Sequence, residues 1–290
     1  MQDKLEFKKI REFGEIINDT FLFLKQNFKP LIRVFFALCG FFLVGSAIST
    51  IIYTINAQDA LRNPSTSPFA QMSQIFNLNY LLVIIFSTAN YVAIYVSILS
   101  YVAVYIEKGN VIPSLEEVWA YFKYYFFRAL GSGLLMGLFF VVALMMCIIP
   151  GIYVFPALCI FLPVMIYENG SISYSFSRSF KLLKNQWFPT AGVILILYVM
   201  TYACMSIVSA PALIFTMTSQ FLHFEKTTIN WLLAGSTVLQ YLCQVFMILP
   251  VIGFSLTYFS LVERLDSDGL MQRIGQLGED KQAFKAPEEY

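Results

Sequence analysis

The sequence predicts an all-α polytopic membrane protein: a bundle of six transmembrane helices with amphipathic interfacial helices on its cytoplasmic side. Three observations lead there. The 290 residues are 58% hydrophobic and only 13% charged, with a mean hydropathy of +0.68, whereas soluble domains carry roughly 25% charge. The charge that exists is segregated: the stretches 34–55, 80–106, 129–149, 152–167, 188–217 and 231–262 contain no Asp, Glu, Lys or Arg. Finally, the connections between these stretches differ sharply in Lys and Arg content. A net charge of +1 excludes a basic nucleic-acid binder, and the hydrophobicity excludes a disordered chain.

A helix needs about 20 apolar residues to cross a hydrocarbon core of roughly 30 Å. Five stretches meet that length. The sixth runs from Trp231 past Pro250 and is expected to extend beyond the bilayer or to kink at the proline. The stretch 152–167 is the short one and carries Pro156 and Pro163. It follows Pro150-Gly151, a turn dipeptide. Residues 129–167 therefore read as a tight helical hairpin that either spans fully or is re-entrant, leaving four true spans. In both cases the crossings are even in number and the termini share a side.

Residues 1–33, 107–128, 168–187 and the tail from Glu263 hold 17 Lys and Arg; the opposite side holds Arg62 and Lys226. By the positive-inside rule both termini are cytoplasmic. No apolar region precedes the first span, so no cleavable export signal is expected. The chain thus divides into a cytoplasmic amphipathic segment (1–33), a transmembrane domain (34–262) with interfacial helices near 114–128 and 171–187, and a cytoplasmic tail (263–290).

In the first segment Phe13, Ile16, Ile17, Thr20, Phe21, Leu24 and Phe28 recur at helical spacing against Glu12, Glu15, Asp19 and Lys25. In the second, Ser114 to Glu117 forms a capping box, followed by an aromatic run suited to the headgroup region. The third begins near Ser171 and carries Arg178, Lys181 and Lys184. Thr20–Pro30 superposes without gaps on Ser179–Pro189, and the second segment fits loosely. The organisation reads as three units of interfacial helix plus hairpin, through descent or through a shared interfacial solution.

The Phe13–Thr20 start, Ile149-Pro150-Gly151-Ile152-Tyr153, Leu162-Pro163 with Tyr167-Glu168, and Ser177-Arg178-Ser179 leading to Trp187 carry a family likeness. They resemble the bacterial multi-spanning family of glycerophosphoryl diester phosphodiesterase membrane domains and the related YciC-like inner-membrane proteins. The resemblance implies a six-helix inner-membrane protein whose relatives are often encoded beside a MoxR-type ATPase and other membrane proteins, which points toward a complex.

Phosphodiesterase chemistry needs histidines and clustered carboxylates. The one histidine, His223, has only Glu225 and Lys226 as charged neighbours, so the activity does not follow from the resemblance. No phosphate-loop, zinc-protease or nucleophile-elbow pattern is present, and no metal or cofactor is expected. Asp266-Ser267-Asp268-Gly269 fails as a calcium loop, because Arg264 and Gly275 stand where carboxylates are needed; it reads as a helix end with a turn. Beyond it, Leu270, Ile274 and Leu277 form a stripe for docking, or else the tail is disordered. The five cysteines fall in apolar stretches and read as small hydrophobes.

No ionisable group lies in the spans, which argues against a proton-driven transporter. Two uncharged polar stripes remain: Ser87, Asn90, Ser97, Tyr101 and Tyr105 in the second span, and Thr237, Gln240 and Gln244 in the last. They form either a polar crevice for a lipid headgroup or small solute, or hydrogen bonds between helices. Gly133 and Gly137 have a spacing that permits close helix packing. The resulting expectation is a non-catalytic inner-membrane scaffold or assembly subunit, with membrane lipids and other proteins as partners and no nucleic acid. Its contact surface comprises Phe21, Lys25, Phe28, Phe122, Tyr125, Arg178, Lys181, Lys184 and Trp187. A transporter or lipid-handling protein using the polar stripes is the alternative.

Overall fold

The computed structural model describes residues 5–62, 67, 72–73, 76–146, 148–221 and 226–283. Among them there is no strand. The helices are α1 (Phe13–Arg62), α2 (Leu78–Glu107), α3 (Leu115–Met146), α4 (Ile148–Tyr167), α5 (Ile172–Leu183), α6 (Trp187–Phe221), α7 (Lys226–Cys243) and α8 (Ile248–Ala283), with a 3₁₀ turn at Gln244–Met247 joining the last two. Six helical stretches are long and apolar enough to cross a membrane, the sixth running through α7 and α8. The protein is an all-α, multi-pass bundle.

Several expected boundaries fall where local chemistry puts them. Ser114 and Glu117 close the capping box reciprocally: the Ser114 amide donates to Glu117 Oε2 at 2.8 Å and the Glu117 amide to Ser114 Oγ at 3.4 Å. Ser171 caps α5 through the Tyr174 amide. The likeness of Thr20–Pro30 to Ser179–Pro189 is also structural. Thr20 and Ser179 are both buried and donate to the carbonyl four residues back, Ile16 and Ser175. Each helix breaks three residues before its proline. Asn27 leaves helical geometry (φ −116°, ψ 16°) ahead of Pro30, and the turn at 184–186 separates α5 from α6 ahead of Pro189. Proline offers no amide to the carbonyl four residues earlier and crowds it, so the break lands in the same register.

Other boundaries differ from expectation. The second interfacial segment is not a separate helix, since residues 115–128 run unbroken into the third span. The first is set off from its span by the kink at Asn27 within α1, and α5 stands alone between α4 and α6. The last span breaks at Gln244–Met247 and not at Pro250, which sits in the first turn of α8, where a missing amide is tolerated. Asp266–Gly269 is not a helix end, since α8 continues to Ala283; the side chains of the Leu270 stripe lie outside the described residues, as does His223. Gly133 and Gly137 do not mediate a close approach. A Cβ on Gly133 would meet only Val92 at 3.9 Å, and one on Gly137 nothing. The close approach is instead at Gly253, where an added Cβ would run into the Leu197 side chain of α6.

The core centres on α2 and α8. Tyr101, Ile98, Leu99, Phe254, Val251 and Ile252 are essentially inaccessible. A segment outside any helix completes it: Phe7 is 1% exposed and meets Phe23, Tyr105 and Phe259 edge-on at 5.0, 6.1 and 5.8 Å. Leu5 and Phe7 thus plug the bundle at its charge-rich end.

The α3–α4 hairpin takes a particular course. At one end of α4, Glu168 accepts from the Tyr258 hydroxyl of α8 at 3.0 Å. Near the other end, the Tyr153 carbonyl accepts from Trp187 Nε1 at 2.9 Å. Yet Trp187 opens α6 at the charge-rich end of α8, because neighbouring Gln186 shares a small cavity with Ser260 and Arg264. Tyr153 and Glu168 are separated by about 22 Å of helix, and both reach that same end of the α6–α8 pair. Helix α4 therefore crosses the pair steeply, while α5 runs back alongside the hairpin, with Phe176 against Phe139 and Phe180 against Tyr153.

Candidate functional site

Two polar clusters organise the charge-rich end. In the first, the Glu168 carboxylate gathers three donors from three directions. Arg178 Nε (3.2 Å) and the Tyr258 hydroxyl (3.0 Å) reach Oε1, and the Tyr174 hydroxyl reaches Oε2 at 2.5 Å. The Glu168 and Arg178 side chains are 16% and 17% exposed. Next in the chain, Asn169 adopts a left-handed conformation (φ 46°) that asparagine tolerates, and Arg128 donates to its side-chain oxygen (2.8 Å) and to the Gly170 carbonyl. One carboxylate and one guanidinium thus bind α3, α4, α5 and α8 together.

The second cluster is built on Arg11, which is 3% exposed. Its guanidinium pairs with Asp19 at 2.7 Å and satisfies the Phe7 (2.7 Å), Lys9 (3.2 Å) and Glu6 carbonyls. Its backbone is bolted to α8: its amide donates to Ser260 Oγ (3.0 Å), and its carbonyl accepts from Ser260 Oγ (3.2 Å) and Arg264 Nη2 (2.9 Å). Charge-assisted bonds of this kind are roughly twice as strong as neutral ones, so both clusters act as clamps. Sequence reasoning missed both. Glu168 was visible only as half of the Tyr167-Glu168 pair in the family likeness, and Arg11 as one of many basic residues.

The residues of the expected contact surface differ in exposure. Phe21, Lys25, Phe28, Lys181 and Lys184 are exposed, while Arg178 and Trp187 are intermediate, each tied to a partner. Phe122 and Tyr125 are corrected: they are 3% and 6% exposed. A helix turns about 100° per residue, so the aromatic run 121–127 has two faces. Val118, Phe122, Tyr125, Phe126 and Ala129 share the buried one, with Phe126 stacked on Phe42 of α1 at 5.1 Å. Trp119, Tyr124 and Phe127 face outward, with Lys123 Nζ over the Trp119 ring at 5.6 Å.

The polar stripes are drawn into pairs between helices. Asn90 Nδ2 donates to Gln244 Oε1 at 2.5 Å. Tyr101 donates to Asn27 Oδ1 at 3.0 Å, Ser97 lies 3.3 Å from Cys39 Sγ, and Ser87 shares the Tyr241 hydroxyl (3.4 Å) with Thr50 (2.8 Å). A pair unseen in the sequence, Tyr95 and Tyr198, has its hydroxyls 2.8 Å apart. Two members of the predicted face drop out: Gln240 is exposed, and Thr237 bonds back to the Leu233 carbonyl of its own helix at 2.8 Å. Among the described residues no three His, Cys, Asp or Glu side chains come together as a metal site. Comparison of the chain with protein-family models, with curated proteins and with solved structures yields no match in any of the three.

Proposed function

We propose that this chain is a non-catalytic scaffold or assembly subunit of a bacterial inner-membrane complex, with both termini cytoplasmic and its charge-rich end offered to partner proteins, a MoxR-type ATPase system among them. The observation that carries the reading is the use of the intramembrane polar groups. Asn90 with Gln244, Ser97 with Cys39, Tyr101 with Asn27 and Tyr95 with Tyr198 are spent on partners across helix boundaries, the arrangement of a held bundle rather than of a lined pathway. The exposed aromatic and basic side chains Phe21, Lys25, Phe28, Lys181 and Lys184 lie instead at the charge-rich end, on elements clamped by Arg11 and Glu168. Aromatic anchors beside basic groups on a rigid support suit a protein interface.

The rival reading, a transporter or lipid-handling protein, draws support from one atom: Asn90 Oδ1 is buried with no hydrogen-bond partner. Extraction in a gentle detergent distinguishes the two. A scaffold co-purifies with stoichiometric partners, and substituting Phe21, Lys25 and Phe28 together releases them. A partner-free chain that moves a solute in liposomes, and loses that activity on Asn90→Leu or Gln244→Leu while remaining folded, would overturn the scaffold reading.

A further inference from the structure

We propose that the corner where α4, α5 and α6 meet is a binding site for one anionic phospholipid, a reading that goes beyond the scaffold proposal by giving Lys181 and Lys184 to lipid and leaving Phe21, Lys25 and Phe28 for protein partners. Two grooves meet there. One, of about 500 Å³, is bounded by Ile149 and Tyr153 of α4 and by Lys184, Asn185 and Phe188 at the α5–α6 turn. The other, of about 480 Å³, runs on between Phe155 and Pro156 of α4 and Ala191, Leu195 and Tyr198 of α6. Ile152 and Trp187 line both, so they form one continuous channel open to its surroundings. Each half is already the size of an ordinary ligand cleft.

The chemistry along this channel is ordered. Lys184 and Asn185 stand at one end. Trp187 and Tyr153 follow, stacked at 5.8 Å and 11° and locked by the bond from Trp187 Nε1 to the Tyr153 carbonyl. Apolar walls come next. A phospholipid has the same order: phosphate, glycerol region, acyl chain. Indole and phenol rings favour that middle depth in a bilayer.

Charge complementarity names the headgroup. Arg178 is engaged by Glu168, and Glu168 is itself saturated by Arg178, Tyr174 and Tyr258. The Lys181 and Lys184 ammonium groups are exposed and have no ion pair or hydrogen bond among the described residues. The local field is therefore that of two uncompensated cations, one of them lining the groove. A zwitterionic lipid would satisfy the apolar walls, but its own cation offsets its phosphate and leaves the net charge of the two lysines uncompensated.

The test uses the full chain in vesicles of phosphatidylcholine, with Trp119 and Trp231 replaced by Phe so that Trp187 alone reports. Dibromo-phosphatidylglycerol and dibromo-phosphatidylcholine, whose bromines quench indole on contact, are compared at equal mole fraction. One basic residue near an anionic headgroup is worth about a fivefold preference, so phosphatidylglycerol should be selected about tenfold or more over phosphatidylcholine. Lys181→Gln/Lys184→Gln, remote from the core, should abolish the preference without changing thermal stability. Ala191→Leu should lower quenching by both lipids by filling the apolar half. Equal quenching by the two headgroups would show annular lipid only and overturn the proposal. So would a preference that survives the double lysine substitution, or cross-linking through positions 149 and 188 that shows a second chain filling the groove.

Discussion

Removing the Glu168 charge should loosen the charge-rich end of the bundle by an amount that can be worked out from its partners. Glu168→Gln keeps the shape but only one acceptor oxygen: the bonds from Arg178 and Tyr258 lose the anionic half of the pair, and the Tyr174 hydroxyl meets an amide NH2 that cannot accept from it. A hydrogen bond to a charged group contributes about 1.5–3 kcal/mol, against about 1 for a neutral one. Two such downgrades and one lost bond set an upper range of several kcal/mol. At 16–17% exposure solvent screens part of this, and the expected loss is about 2–3 kcal/mol. For a chain of this size each kcal/mol moves Tm by about 2–4 °C, so the midpoint should fall by roughly 5–10 °C. The assay is thermal unfolding in detergent followed by Trp187 emission in a Trp119→Phe/Trp231→Phe background, since that indole is tied to the other end of α4. Tyr258→Phe alone should cost about 1.5 kcal/mol. Combined with Glu168→Gln it should cost less than the sum, because the shared bond is lost only once. A Glu168→Gln protein as stable as its parent, or strictly additive losses, would refute the claim that this carboxylate joins α4, α5 and α8.

Further expectations follow from the same physical reasoning. Arg11→Ala should cost about 3 kcal/mol by leaving Asp19 unpaired and the turn carbonyls without donors, and should expose residues 5–11 to limited proteolysis; an unchanged digestion pattern would contradict the clamp. Asn90→Leu alone should destabilise by about 0.6 kcal/mol and at most about 1.7, while Asn90→Leu/Gln244→Leu should recover part of that loss in a chemical denaturation series. In a background without native cysteines, single cysteines at positions 62 and 226 should react with an impermeant maleimide from outside and those at 123 and 281 only from inside. A cysteine at 149 should stay unreactive from outside if the steep course of α4 makes the hairpin re-entrant, whereas ready labelling would make it a full span.

Much of the fold was legible because its causes are local. A run of uncharged residues is long enough to cross a bilayer or it is not, and Ser114 with Glu117, Ser171, Pro30 and Pro189 act within one helical turn of themselves. The exposure of Phe21, Lys25, Phe28, Lys181 and Lys184 was legible for the same reason. It was not legible at Phe122 and Tyr125, where composition marks an interfacial aromatic run but not which of its faces meets Phe42 of α1. The polar stripes were found as stripes; that Asn90 would reach Gln244, 154 residues away, has no signature along the chain.

The sequence by itself therefore determined that the protein is helical, which segments can cross a membrane, and which end carries the charge, since each of these depends on local hydrophobicity, capping and proline chemistry. Only the tertiary structure decided that Phe7 plugs the bundle, that Arg11 fastens to Ser260 across 249 positions, that Glu168 joins separate helices, and that α4 and α6 enclose a groove ending at Lys184. These are meetings of groups far apart in the chain. The energy that selects them comes from desolvating and pairing them together, and no residue carries that quantity alone.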